Sequence, residues 1–417
     1  MVQVNLLLIA FLVVFGIRSL FQLTLNRLNI AHLRREGKHV PQLFQGWVDG
    51  EKLARISAYT ADAGNFGIVV TLFDQALLLA ILLSGFLPWL HGTVSRWQSG
   101  FVVQGLAFFA ALGIISQGVQ IPFGLYGTFV IEERYGFNTR TLKLWFSDWI
   151  KSTAISAILS GFLLSLLLVL VYYLGNTWWI WAWMAIGAFE LIMLWLYPVL
   201  IAPRFNKFEP ILDEGLRDRI VSLMEKAGLR VKGVFQMDAG KRSRHTNAYF
   251  TGLGRTKRIV LFDTLLASHP EEEIVSILAH EAGHWKKKHV LKQLILMEVF
   301  SLVGLYIVAK LLNWPLMYQT FGFAEPVAYV GLLLVGVLIG PLGYFIRPLG
   351  SAISRRFERQ ADDAAVALTG TAKPMGDALK RLAAQNLANL VPHPFYAWFY
   401  YSHPAPVERV ARLEQMA

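Results

Sequence analysis

Seven apolar runs of roughly transmembrane length constrain this chain more than any other feature. A membrane-spanning helix needs about 20 predominantly apolar residues. Hydrophobic residues make up 55% of the 417 residues and charged residues only 16%, so soluble cores cannot hide all of them. The sequence therefore predicts a multi-pass membrane protein, with spans at about residues 4–17, 66–90, 101–126, 153–174, 178–201, 291–312 and 327–346.

The basic residues predict how the spans are oriented. Residues 18–65 contain seven Lys or Arg and residues 127–151 contain four, whereas Arg96 is the only basic residue between the second and third spans. Because cytoplasmic loops are enriched in Lys and Arg, the N-terminus is expected outside, and residues 203–290 and the C-terminus in the cytoplasm. This bias accounts for the net charge of +11, so no nucleic-acid partner is predicted. The first run lacks a basic start and a cleavage site, which favours an uncleaved anchor.

Two carboxylates interrupt the apolar spans. Asp74 lies in the second predicted span and Glu190 in the fifth. Carboxylates inside a membrane are costly unless they face water, the interior of a helix bundle or a partner. They indicate a polar cavity, or else carboxylates near the interface or paired to a neighbour.

The most polar stretch predicts a small mixed domain. A helix is expected at residues 211–226, and strands at residues 231–236, 247–251 and 258–263. Another helix is predicted from Pro270, where Glu271, Glu272 and Glu273 suit the positive end of a helix dipole. This helix is expected to continue into the sixth span through three consecutive lysines.

The second of these helices contains a metal-binding pattern. His280 and His284 are four residues apart, so one helix face can direct both imidazoles at one Zn²⁺, and Glu281 leans toward the water that the metal binds. The chain has no cysteine, so a metal must be held by His and carboxylate groups. The alternative is a helix with two surface histidines.

A catalytic zinc held by two histidines needs a third protein ligand and an open position. Glu358 is the best candidate, because the two spans between it and His284 return the chain to the same side of the membrane. Asp362, one turn further on, is expected to accept a hydrogen bond from a ligand imidazole. The alternatives are that Glu358 is a plain surface residue and that Asp362 pairs with Arg355 or Arg359.

Two further segments supply candidate substrate-binding groups. Asn247, Ala248 and Tyr249 begin a predicted strand whose open edge could bind an extended peptide. His403 and Arg409 flank a predicted helix start; His403 could donate to the oxyanion of a tetrahedral intermediate, with Arg409 orienting it. A sheet strand without a ligand and a structural histidine are the alternatives.

These motifs resemble the CAAX prenyl protease type I family of integral-membrane zinc proteases. The resemblance extends over most of the chain. Phe262, Arg359 and Ala405 depart from residues common in the family, but none is a candidate metal ligand or catalytic group. The similar segments are residues 122–138, 243–253, 258–266, 280–285, 358–362 and 402–404.

The resemblance implies a predominantly α fold. Seven transmembrane helices would enclose a chamber capped by a cytoplasmic, gluzincin-like zinc protease domain with a small β-sheet. The expected divisions are residues 1–202 for five spans, 203–290 for the zinc-helix part of the protease domain, 291–347 for two spans and 348–417 for its C-terminal part.

The resemblance also implies the roles of individual residues. One Zn²⁺ per chain would be held by His280, His284 and Glu358, with Glu281 as general base. Asn247 would belong to the substrate-binding edge strand, and His403 and Arg409 would sit in the cleft.

The predicted function is a zinc-dependent membrane endopeptidase for lipidated CAAX-type, membrane-tethered or misfolded chains. The absence of cysteine and the short chain favour a bacterial protein in the cell membrane; in a eukaryote the endoplasmic reticulum membrane is expected. One alternative is a heat-shock-type quality-control protease, for which four spans are expected. The other is a transporter with a zinc-binding domain, whose flux would survive loss of Glu281.

Overall fold

The computed structural model describes residues 2–252 and 258–416. Within these ranges the chain is mostly helical, and seven helices are long and apolar enough to cross a membrane. The helices are α1 (Leu6–Glu36), α2 (Gly50–Leu83), α3 (Phe86–Ser95), α4 (Phe101–Tyr126), α5 (Leu142–Tyr173), α6 (Trp178–Leu196), α7 (Glu214–Lys226), α8 (Asp263–Ser268), α9 (Glu271–Lys286), α10 (His289–Leu311), α11 (Pro315–Thr320), α12 (Ala328–Gly343), α13 (Arg347–Thr369), α14 (Lys373–Gln385), α15 (Pro394–Tyr400) and α16 (Pro406–Glu414).

Two predicted helix boundaries are wrong because residues adopt left-handed backbone angles. The second span was expected to reach residue 90, but α2 ends at Leu83 and Gly85 has a φ of 82°, so α3 is a separate helix. The zinc-motif helix was expected to run on into the sixth span. Instead α9 ends at Lys286 and Lys288 has a φ of 57°, so α10 starts in a new direction. The continuous α9–α10 helix is therefore replaced by a break.

The spanning helices form a ring. α4, α5 and α6 pack in chain order, α6 packs on α10, α10 on α12, and α12 returns to α1, which packs on α2. α2 closes the ring by packing on α3, which contacts α4, and on the short π-helix Gly127–Glu132 that follows α4. No residue of the most apolar stretch of α10 is buried, and only 6% of that of α5. A closely packed bundle would bury more of these helices, so the ring is loosely packed along α5 and α10.

The two carboxylates singled out in the spans both lie beside polar neighbours. Gln120 Nε2 of α4 donates to Asp74 Oδ1 of α2 at 2.7 Å, and the pair is exposed. Glu190 of α6 lies beside Glu298 of α10, a third carboxylate in the spans that the sequence analysis did not single out. The exposed Asp74 pair joins two helices of the ring, which fits a polar interior.

A cluster of buried apolar side chains packs at one end of the ring. It joins the start of α1, the end of α2, and α3, α11 and the start of α12 around buried aromatic side chains. Tyr318 and Tyr329 are almost completely buried there, and the Tyr318 hydroxyl donates to the Leu312 carbonyl at 2.6 Å. α11 lies in the connection between α10 and α12. The domain that contains the metal-binding pattern lies at the opposite ends of these helices.

The domain that contains the metal-binding pattern has a four-stranded sheet. Its strands are β1 (Phe208–Pro210), β2 (Gly233–Met237), β3 (Ala248–Thr251) and β4 (Arg258–Phe262), in the order β1-β2-β4-β3. β2 and β4 are parallel, and the other two pairs are antiparallel. β2, β3 and β4 begin and end within two residues of the predicted strands, whereas β1, which has three residues and contains a proline, was not predicted. β3 is an edge strand.

Close packing of α9 against α13 places the two parts of the zinc motif together. A Cβ added at Gly283 would lie 3.0 Å from the Cα and carbonyl oxygen of Ala361 and 2.9 Å from Ala364 Cβ. Only glycine allows this approach without displacing backbone. The same faces contribute to a core that includes Leu278, Ala282 and Ala365.

Candidate metal centre

Three side chains converge between α9 and α13. His280 Nε2 lies 3.1 Å from His284 Nε2 and 3.4 Å from Glu358 Oε2, and His284 Nε2 lies 3.3 Å from Glu358 Oε1. One ligand atom from each residue can be chosen so that all three lie within 4.8 Å of one another. The structure thus brings together the three residues predicted as metal ligands.

The donor set fits Zn²⁺. Two imidazoles and one carboxylate are the protein ligands of a catalytic zinc that keeps a fourth position open. Glu358 is buried, and its Oε2 has no hydrogen-bond partner in the described ranges. A buried carboxylate oxygen without a partner is costly, and a bound cation would satisfy it.

Asp362 fixes His280 from the side away from Glu358. Asp362 is buried, and its Oδ1 lies 2.8 Å from His280 Nδ1. Arg409 of α16 makes two hydrogen bonds to the same carboxylate: Nε donates to Oδ2 at 2.8 Å and Nη2 donates to Oδ1 at 2.6 Å. Asp362 therefore pairs with Arg409 rather than with Arg355 or Arg359, and it leaves His280 Nε2 directed at the metal position.

Arg409 lies deeper than a substrate contact requires. Its side chain is only 10% exposed, and Nη1 lies 3.5 Å from Glu358 Oε2. Within the described residues no hydrogen bond joins it to His403, the residue it was expected to orient. Its contacts are with Asp362, with Glu358 and with the His280 ring, whose Nδ1 lies 3.1 Å from Arg409 Nη2.

His289 contacts the second candidate ligand, His284, and this contact was not predicted. Its Nδ1 lies 3.0 Å from His284 Nδ1, its Nε2 lies 2.9 Å from Gln360 Oε1, and its ring stacks on Phe357 at 4.2 Å. The signal was present, since His289 follows His284 by five residues and Gln360 lies two residues after Glu358. The break between α9 and α10 turns His289 back toward the site, and a continuous helix does not predict that turn.

Glu281 and His403 flank the three converging side chains. Burial raises the pKa of the Glu281 carboxyl, while the neighbouring His280 and His284 act to lower it. His403 is exposed, and its Nε2 lies 3.4 Å from Glu358 Oε1. A carboxyl and an imidazole are thus both available beside the metal position.

The edge strand β3 packs beside α9. The carbonyl of Asn247 accepts a hydrogen bond from Phe262 N at 3.1 Å, so the main chain of Asn247 faces β4. Successive residues of a strand alternate in direction, which turns the main chain of Ala248 to the open edge. There the Asn247 side-chain oxygen accepts from Ala248 N at 2.8 Å. Tyr249 packs on the other face of the sheet with Met237 and Phe262, and Leu253 lies outside the described residues.

His245 ties the start of this strand to the membrane ring. Its ring stacks on Phe137 at 4.1 Å, and its Nε2 lies 3.3 Å from Glu132 Oε2. Tyr59 of α2 donates to the other oxygen of Glu132 at 2.7 Å. The hydrogen bond with Glu132 raises the pKa of His245, and burial opposes that rise. His245 lies in the similar segment 243–253, but no role was predicted for it.

Comparisons with known proteins agree with this geometry. Residues 29–207 match the family described as CAAX prenyl protease N-terminal, five membrane helices, and residues 210–417 match peptidase family M48. A CAAX prenyl protease 1 homolog of Arabidopsis thaliana is 35% identical over 90% of each chain. The chain belongs to the CAAX prenyl protease 1 family. A homolog of Homo sapiens is 30% identical over 91% of this chain and 89% of its own.

A solved structure extends the agreement to the whole fold. The crystal structure of S. mikatae Ste24p superposes with a TM-score of 0.92 at 31% identity, covering 99% of this chain and 100% of that one. This family member is therefore a multi-pass membrane metalloendopeptidase that uses zinc. The predicted fold class, enzyme class and cofactor are confirmed, and seven spans rather than four separate it from the quality-control alternative.

Proposed function

We propose that the chain hydrolyses peptide bonds of membrane-associated proteins, with water activated between Glu281 and the ligands His280, His284 and Glu358. The observation that supports this most is that the three ligands lie within 4.8 Å of one another. The Glu281 carboxyl lies next to His280 on α9. When bound, Zn²⁺ would polarise the scissile carbonyl and lower the pKa of a water toward ~7.

The protein groups move the protons. Glu281 accepts a proton from the attacking water and passes it to the nitrogen of the leaving amine, which is general base and then general acid catalysis. His403, exposed beside Glu358, donates to the oxygen that gains charge on the scissile carbonyl. Asp362 holds the His280 ring, and Arg409 neutralises Asp362 and Glu358.

Substrate binds along β3. Ala248 presents its main chain at the open edge, so an extended peptide can add a strand there by main-chain hydrogen bonds. Asn247 gives up its hydrogen bond to Ala248 N and turns its side chain to a substrate carbonyl. Tyr249 has its side chain on the other face of the sheet and its main chain directed at β4, so it supports the strand without contacting the peptide.

The test of the catalytic role is Glu281→Gln in the full chain, purified in a membrane mimic. The variant should retain zinc, because its three ligands are untouched, and should lose cleavage of a reporter peptide. Glu272→Gln, at an exposed position on the same helix, is the matched control and should cleave at the wild-type rate. Wild-type cleavage by Glu281→Gln would sink the mechanism.

The ring of membrane-spanning helices favours substrates held in or at the bilayer. The relatives are named CAAX prenyl proteases, so we propose lipidated CAAX-type chains as one substrate class and misfolded membrane-tethered chains as another. Mass spectrometry of membrane proteins that accumulate in cells carrying Glu281→Gln would identify substrates and cleavage sites together. Absence of any uncleaved species would contradict the role in the cell.

We place the protease domain, assigned to residues 203–290 and 348–417, in the cytoplasm on the basis of the Lys and Arg distribution. The chain has no cysteine, so single introduced thiols report the side of the membrane cleanly. Glu225→Cys should be labelled only from the cytoplasmic side and Glu325→Cys only from the other; the reverse pattern would overturn the orientation. Bacterial origin stays a prediction, and the relatives compared are eukaryotic.

A further inference from the structure

A groove lies between α5 and α6, at the end of the ring nearest the protease domain. Its volume is about 600 Å³, and both helices are long and apolar enough to cross a membrane. Ser152, Ser156 and Leu159 line it from one face of α5, Met193 lines it from α6, and Arg242 closes it on the side of the protease domain. Because α5 and α6 are neighbours in the ring, a gap between them is open to bilayer lipid.

One cation in the groove lacks a charged partner. Arg242 donates from Nε to Asp148 Oδ2 at 2.8 Å and from Nη2 to Asp148 Oδ1 at 2.9 Å, so both oxygens of this carboxylate are engaged. Arg140, in the loop before α5, lines the same groove, and among the described residues no carboxylate lies within 4.0 Å of it. Two arginines and one aspartate leave the groove with one uncompensated positive charge, which favours an anionic ligand.

Two hydroxyl groups in the groove also lack partners in the protein. A serine in a helix can donate to the carbonyl four residues before it, and Ser160 and Ser165 of α5 do so. Ser152 and Ser156 make no hydrogen bond of this kind within the part of the chain that the structure describes. A hydroxyl without a partner is unfavourable at membrane depth, and the oxygen atoms of a ligand would satisfy both groups.

The charged, polar and apolar groups follow one another along the groove. Arg140 lies next to the protease domain, Ser152 and Ser156 follow on α5, and Leu159 and Met193 lie further into the spans. From Ser152 to Leu159 the helix rises about 10 Å. A phospholipid has its groups in the same order, because its phosphate is followed by ester oxygens and then by acyl chains.

We propose that this groove binds one phospholipid that has a net negative charge. The phosphate pairs with Arg140, the ester oxygens accept hydrogen bonds from Ser152 and Ser156, and an acyl chain lies along Leu159 and Met193. Basic pockets between spanning helices bind anionic headgroups in this way. The site lies beside the ion pair between Arg242 and Asp148, which connects the protease domain to α5. The proposal is independent of the peptidase function.

The experiment measures which lipid stays on the chain. The full chain is delipidated in detergent, mixed with equal amounts of phosphatidylglycerol and phosphatidylcholine that have the same acyl chains, and weighed by native mass spectrometry. The wild type should retain phosphatidylglycerol about fivefold better than phosphatidylcholine, which is the effect of one basic residue on an anionic lipid.

Two competitors distinguish the phospholipid from simpler ligands. Inorganic phosphate in excess should displace little phosphatidylglycerol, because it has no acyl chain. A farnesylated cysteine methyl ester should also displace little, because it has a lipid chain but no phosphate. Complete displacement by either compound would overturn the proposal and would assign the groove to a free anion or to an isoprenyl chain.

Variants at the charged end connect the preference to Arg140. Arg140→Gln should bring the ratio of the two lipids toward one, and Arg140→Lys should keep much of it. Lys143→Gln removes the same charge from an exposed residue that does not line the groove, and it should keep the wild-type ratio. Arg140→Gln freed of lipid should unfold at the wild-type Tm, because the Arg140 charge has no partner in the described chain. A lower Tm would mean that Arg140 serves the fold instead.

Variants further into the groove test the hydroxyl groups. Joint Ser152→Ala and Ser156→Ala substitution should lower the retention of both lipids. Ser160→Ala is the matched control, because the Ser160 hydroxyl already donates to its own helix, and it should retain lipid like the wild type.

Two further results would overturn the proposal. One is equal retention of the two lipids by the wild type; the other is an equal loss of preference in Arg140→Gln and Lys143→Gln. Either would leave the peptidase function intact, because no cleavage is measured.

Discussion

The zinc helix and the membrane ring are packed in opposite ways. In α9, nine of sixteen residues are buried, including the first metal ligand, whereas the apolar stretch of α10 buries none of its residues. Yet α10 follows α9 after only two residues. Dense packing holds the metal ligand His280 of α9 in place, whereas the apolar stretch of α10 has little contact with the rest of the described chain.

The largest effect is expected when the support behind a ligand is weakened. Asp362→Asn leaves the shape of the side chain but removes the charge that holds His280 and pairs with Arg409. Loss of such a partner costs about 10- to 100-fold in metal affinity or activity. Zinc titration and peptide cleavage measure it. Asp363→Asn, one residue on and facing Arg412 at the surface, should change neither, and equal effects at both positions would contradict the role of Asp362.

Substitution of one glycine in α9 and one in α10 compares the packing of the two helices directly. Gly283→Ala forces a methyl group to within 3.0 Å of the Ala361 backbone, so it should destabilise the protease domain by about 1–3 kcal/mol. Gly304→Ala in α10 meets nothing within 4 Å and should change stability by no more than about 1 kcal/mol, because alanine favours helix. Thermal unfolding of both variants checks this. Equal destabilisation would mean that the ring is packed like the protease domain.

The smallest effect is expected at the junction of the two regions. The pKa of His245 is raised by Glu132, so the ion pair stabilises the fold below the ordinary histidine pKa and is lost as pH rises through the raised value. Among the described residues, Glu132 and Asn386 are its side-chain hydrogen-bond partners. His245→Gln should therefore lower Tm at about pH 6 more than at about pH 9. A Tm difference that grows with pH would contradict the pairing.

The sequence predicted what depends on local pattern. Apolar run length predicted seven spans, and helical spacing placed His280 and His284 on one face. Glu358 followed because two spans bring the chain back to its starting side. Each inference needed only periodicity, spacing and the thickness of a bilayer.

Features set by tertiary contact escaped the sequence analysis. Lys288 adopts a left-handed conformation although it sits among lysines that favour helix, and that single angle turns His289 onto His284. No role was predicted for Gly283, yet the approach of α13 leaves no room for a Cβ at this position. Arg409 was expected to orient His403; its pairing with Asp362, 47 residues away in sequence, was not predicted. Contacts between distant segments determine the conformation and partners of these residues, and the sequence pattern does not reveal such contacts.

The central claim is that one metal site is assembled from α9 and from α13, which the chain reaches only after crossing the membrane twice. Zinc content per chain in purified Glu358→Gln, measured beside Glu281→Gln, tests it most directly. Because zinc needs its third protein ligand, Glu358→Gln should lose most of its zinc after dialysis while Glu281→Gln keeps about one per chain. Full zinc content in Glu358→Gln would contradict the account.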